Sequence, residues 1–234
     1  MPLVDPPAGV PPHSASRSAA LPLPDRPALR GWLHAVSFPV MTVLGLALVL
    51  RADVSAHGRL LLGVYVAGTC TMFGASALYH RVRWRARAKA LMQRVDRSAI
   101  FLAIAGGYTP VAWVCLDGTT RTVVLASVWT GALVGISLNW LPHVHHAAKG
   151  ASFIVVGWIA AAVLPRLAGE LGTAGFALIL FGGVSYTIGA ICFATRRPNP
   201  WPRVFGFHEV FHAFTVVAAG LQFTGIAVAV VPRL

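Results

Sequence analysis

His208 and His212 stand four residues apart in the segment Gly206-Phe-His208-Glu209-Val-Phe-His212. Residues four apart share one face of a helix, and two imidazole nitrogens so placed can reach one zinc ion. The segment also fits H-E-x-x-H, where the acid is the general base of a zinc protease. The preferred reading of Glu209 is an acid favoured at a helix N-terminus by the macrodipole. Residues 213–234 contain no Asp, Glu, His or Cys. A third ligand therefore has to come from upstream, and His80 is the best candidate.

His80 closes the segment Ser76-Ala-Leu-Tyr-His80, another pair four apart, and Asp96 follows sixteen residues later. The chain has only seven carboxylates: Asp5, Asp25, Asp53, Asp96, Asp117, Glu170 and Glu209. Asp96 and Glu209 are the two that fall beside these histidines. Ionisable groups at a membrane boundary are costly unless paired or working. The plain alternative for Asp96 is a salt bridge to Arg94 or Arg97. His34 could line the same site or only pack, and packing is the expectation. His143, His145 and His146 read as residues of a solvated loop.

The elements that would carry these residues are apolar runs of membrane-spanning length. Helices are expected at about 32–50, 59–80, 98–116, 121–140, 150–168, 172–194 and 207–232. Each is long enough to cross roughly 30 Å of hydrocarbon at about 1.5 Å per residue. The runs are too long, and alternate too little, for spanning β-strands. Between them lie polar breaks, including a basic stretch from Arg81 to Arg97 and a break from Pro165 to Glu170. Residues 1–30 hold eight of the sixteen prolines and no continuous apolar segment. They are expected to form a disordered cytoplasmic tail, with the membrane domain running from 31 to 234. Gly106-Gly107-Tyr108-Thr109-Pro110 reads as a packing and kink motif inside the third helix.

Composition agrees. Hydrophobic residues make up 56% of the 234 and charged residues 11%, and mean hydropathy is +0.70. A soluble domain carries about 25% charged residues, so most of the surface must meet lipid. The net charge of +12 does not indicate a nucleic-acid partner, because the arginines lie in short segments between apolar runs. With the N-terminus placed in the cytoplasm, fourteen of the nineteen Lys and Arg fall inside and five outside. That asymmetry favours an N-terminus in and a C-terminus out. The same topology brings Ser76, His80, Asp96, His208 and His212 to one membrane depth, on the cytoplasmic side. Cys70, Cys115 and Cys192 lie in apolar runs and read as inert fillers.

Together these segments, with Arg30-Gly31-Trp32-Leu33-His34, resemble the hemolysin III family, the bacterial branch of the progestin and adipoQ receptor group. The resemblance covers about residues 29–232. It implies an all-α bundle of seven transmembrane helices with the N-terminus inside, and zinc held by His80, His208 and His212. It also implies Asp96 and Ser76 near the metal-bound water. Many relatives carry a Glu and an Asn shortly before the first helix's histidine, where this chain has Pro27 and Arg30. The group is similar in its metal arrangement to alkaline ceramidases.

The leading functional expectation is a zinc-dependent hydrolase of a lipid amide or ester in the cell membrane. Its substrate would enter sideways from the inner leaflet, with Asp96 orienting or deprotonating water and Ser76 supporting Asp96. A non-enzymatic sensor or regulator with structural zinc is the alternative. A pore-forming cytolysin is suggested only by the family name, and polar residues within the spans are sparse.

Overall fold

The computed structural model describes residues 26–234. Eight segments are mainly helical: α1 (Trp32–Arg51), α2 (Ala56–Arg81), α3 (Ala86–Cys115), α4 (Gly118–Trp140), α5 (His146–Gly157), a 3-10 turn (Ile159–Val163), α6 (Leu164–Thr195) and α7 (Phe207–Gly225). A π turn over Ile226–Val230 and a 3-10 turn over Val231–Arg233 extend α7. No strand is present among the described residues, only an isolated bridge between Trp201 and Phe205.

Six stretches are long and apolar enough to cross a membrane. Five correspond to expected helices. The sixth, Ala147–Thr195, is 49 residues long, or about 74 Å if straight. It is not straight. Gly172 has φ 64° and ψ 169°, a region essentially reserved for glycine. Trp158 Nε1 donates to Thr187 Oγ1 at 2.9 Å although 29 residues separate them. The chain therefore doubles back at Gly172.

The break falls later than expected. Pro165 sits in the first turn of α6, where a missing N–H costs nothing, so it does not end the segment. A second correction concerns the basic stretch from Arg81 to Arg97. Most of it is helix, because α3 begins at Ala86 rather than near 98. Exposed arginines are compatible with helix wherever the helix projects past the lipid, so their presence marked the water boundary and not the helix end. The α7 rod likewise loses α geometry after Gly225, short of the expected 232.

The expected tail to residue 30 overlaps a docked segment. Ala28 N donates to Arg203 O at 2.9 Å and Leu29 N to Val204 O at 3.1 Å. Residues 1–25 lie outside the described residues, and with them most of the expected tail.

Packing is built on small residues that let backbones approach. Gly68 faces the Leu102 carbonyl and Gly106 the Val64 carbonyl, joining α2 to α3. Between α6 and α7, Gly175 faces Ala229, Gly182 faces Gln222 and Gly189 faces Phe214, an antiparallel register. Tyr65, Phe101, Val128 and Ile226 are central to the larger apolar core, and Met72, Phe73 and Ala219 belong to a second. Large apolar side chains such as Val43 and Leu50 point outward from α1, as lipid contact requires. Cys115 and Cys192 are buried, and all three cysteines are free.

Candidate metal centre

Glu209 is the one fully charged side chain type buried among the described residues, and it lies among buried histidines: His34, His80 and His212. Such groups are costly in an apolar setting unless partnered. Their grouping at one end of the bundle follows from where the helices begin and end.

His80 lies in the last turn of α2 and His208 and His212 in the first two turns of α7. The start of α7 is fixed by two side chains that satisfy its leading amides. Gly206 N donates to Glu209 Oε2 at 2.9 Å, and Phe207 N to Asn199 Oδ1 at 3.1 Å. The helix therefore begins where both histidines face His80.

One nitrogen from each of His80, His208 and His212 falls in a set whose members all lie within 4.8 Å of one another. The Nε2 atoms of His80 and His208 are 3.2 Å apart. Metal–nitrogen bonds of about 2.0–2.1 Å in tetrahedral geometry put ligand atoms about 3.3 Å apart. The spacing fits a small tetrahedral cation, and a donor set of three imidazoles with no carboxylate suits a borderline metal better than a hard one. His80 and His212 are buried and His208 is half-buried, so the site opens along His208. That ring meets Phe193 edge-on, with centroids 5.2 Å apart, and Phe211 lies beside it.

His34 is closer to the site than its sequence reading implied. It stacks on His212 with centroids 3.9 Å apart and planes 3° from parallel, and it meets the ring of Phe73 edge-on. It is not one of the three clustered ligands. Neither of its ring nitrogens has a hydrogen-bond partner among the described residues.

Ser76 is buried one turn before His80. The Ser76 hydroxyl and, at longer range, Arg97 lie on the side of the Asp96 carboxylate. Asp96 is half-buried and outside the three-histidine group. The salt bridge considered for it is not formed. The ion pairs among the described residues are Arg30–Glu209 and Arg233–Glu170.

Glu209 behaves as a helix N-terminal acid and not as a free base. One carboxylate oxygen accepts from Gly206 N and the other from Arg30 Nε, and its side chain is 1% exposed. Arg30 is the residue that sequence reasoning missed. It is 179 positions away, so no local spacing reveals it. The available signal was a lone acid beside two histidines in need of a counter-charge, and an arginine just before α1 on the same side. His145 caps α5 by accepting from Ala147 N at 3.2 Å, a structural use.

Comparison with known proteins finds relatives over most of the chain. The family model described as haemolysin-III related matches residues 24–223. Hemolysin-3 of Bacillus cereus is 30% identical over 171 residues, covering 72% of this chain and 74% of the relative. A hemolysin-3 homolog of Bacillus subtilis (strain 168) is 29% identical, covering 65% of this chain and 68% of the relative. The human monocyte to macrophage differentiation factor is 24% identical over 194 residues, 80% of this chain and 77% of the relative. With six membrane-spanning stretches and a family match over most of its length, this chain belongs to the haemolysin-III-related family of multi-pass cell-membrane proteins.

Proposed function

We propose that the protein is a zinc-dependent hydrolase of an amide or ester bond in a membrane lipid. The observation that carries this reading is the meeting of three imidazole nitrogens within 4.8 Å, contributed by helices whose sequences are far apart. His80, His208 and His212 would hold the metal. Zinc bound there would supply Lewis acidity and a water acidified to near neutrality.

The remaining chemistry belongs to the chain. The Asp96 carboxylate takes the proton of the attacking water, and the Ser76 hydroxyl beside it fixes which oxygen is presented. Glu209 takes no part in proton transfer, since both its oxygens are engaged. The exposed edge at His208, with Phe193 and Phe211 around it, suits an acyl chain arriving from the side. Phe193 is 40% exposed, so the ring is available to such a chain.

The topology that goes with this reading has seven crossings, with the N-terminus in the cytoplasm and the C-terminus outside. The reversal at Gly172 supports the count, by letting Ala147–Thr195 cross twice. The excess of Lys and Arg on one side supports the direction.

Zinc content of the purified protein, measured against His80→Ala and His212→Ala, tests the metal. Each variant is expected to lose most of it. A panel of lipid amides and esters tests the chemistry. Turnover that disappears on chelation and returns with zinc is the expected result. Full zinc occupancy with no turnover of any lipid would leave a metal-bearing regulator and end the hydrolase reading.

A further inference from the structure

We infer that residues 28–31 strap the metal centre together, with the Arg30–Glu209 ion pair as its positioning contact. The inference rests on the metal reading above and concerns what sets the distance between its ligands.

Two helices supply the ligands, yet the backbones of α2 and α7 hardly approach each other, whereas α1 packs on both. α1 and the segment before it are therefore well placed to fix how far His80 lies from His208 and His212. The segment leading into α1 touches each side in four consecutive residues. Ala28 and Leu29 donate to the carbonyls of Arg203 and Val204, in the loop ahead of α7. Arg30 Nε donates to Glu209, the residue between the two α7 histidines. Gly31, at φ 77°, presses on His80 so closely that a Cβ would stand 2.5 Å from the His80 Cβ. One residue further on, the Arg81 guanidinium lies 4.2 Å over the Trp32 ring, tying the end of α2 to the start of α1. His34 then stacks on His212 from the first turns of α1. Glu209 is 1% exposed and Arg30 23%, so the ion pair is shielded and its geometry is held.

A merely structural pair would affect folding and leave metal affinity alone. A positioning pair affects metal affinity and the shape of the coordination sphere. The test uses the full-length protein in detergent, stripped of metal and titrated with zinc against a chromophoric chelator. Cobalt loading reports the coordination geometry through its visible spectrum. The variants are Arg30→Gln and the double variant Arg30→Gln/Glu209→Gln. The double variant removes the ion pair without leaving a buried charge unpaired, the fault that makes single truncations unfold. It is expected to keep the thermal stability of the metal-free protein, bind zinc about tenfold more weakly and alter the cobalt spectrum. Arg30→Gln, if it folds, is expected to bind up to about 100-fold more weakly. Wild-type zinc affinity with an unchanged cobalt spectrum in the double variant overturns the strap. A wild-type protein that takes up no zinc overturns the metal reading itself, and the strap with it, so the two failures are distinct.

Discussion

Glu209, between two of the histidines, and Asp96, beside Ser76, have different surroundings that suit them to different work. Glu209 is sealed, with each oxygen held by a donor. Asp96 is half-buried beside a hydroxyl, with no guanidinium at ion-pair distance. Only the second is free to accept a proton. Asp96→Asn is therefore expected to retain its zinc and lose lipid turnover by about 10²–10⁴-fold, with metal analysis and a lipid hydrolysis assay as the paired measurements. Normal turnover in that variant would remove Asp96 from the chemistry. Much of this residue-scale picture could be read in the chain itself. The lack of any ligand after His212 sent the search upstream, and His80 was the histidine at matching depth. Arg30 could be reached only through the counter-charge that Glu209 needs, and the stack of His34 on His212 could not be read, because it depends on how α1 lies against α7. No periodicity in the chain encodes that contact.

Helices were legible wherever an apolar run and a helix end together. Those of α1, α2 and α4 agree with the expectation to within a few residues. The start of α3 was missed by about three turns because hydropathy reports contact with lipid, while helicity depends on backbone bonding that continues through Arg87, Lys89 and Arg94. The opposite case is α6, where one glycine outside helical geometry reverses the chain. Gly172 holds its conformation in open space, with nothing within 4 Å of where a Cβ would be. A substitution there meets no clash and only the backbone penalty. Gly172→Ala should destabilise the protein by about 1–3 kcal/mol, equally with and without zinc, as read by thermal unfolding in detergent. A zinc-dependent loss would mean that the turn communicates with the distant metal centre.

At the scale of the whole molecule, the proposed orientation makes its own prediction. The link between α2 and α3 carries Arg83 and Arg85, and the Gly172 turn lies at the other end of the bundle, near Glu170 and Arg233. Cysteines introduced singly at Arg83 and Thr173 should react from opposite sides of the membrane. A membrane-impermeant maleimide applied to intact cells is expected to label Thr173→Cys and to reach Arg83→Cys only after lysis. Labelling of both from one side would refute the seven-crossing topology while leaving the histidine geometry untouched. Membrane residence was legible from composition alone, since 11% charged residues cannot wet a soluble surface. Repeated crossing was legible too, because the apolar runs approach bilayer length. The docking of Ala28 and Leu29 onto the loop before α7 was not, because backbone hydrogen bonds between distant segments leave no mark in the sequence.

Tyr108 sits where α5 gives way to a 3-10 turn. Its hydroxyl donates to Gly157 O at 2.7 Å and accepts from Ala160 N at 3.0 Å. A helix interrupted inside lipid frees a carbonyl and an amide that no water can reach. One phenol on a neighbouring helix answers both. The interruption is thus a property of two helices together, and it cannot drift along α5 without leaving its chaperoning ring behind. Only a side chain able to give and receive a proton bond at that reach could replace it, which makes position 108 far less exchangeable than its aromatic bulk alone would suggest.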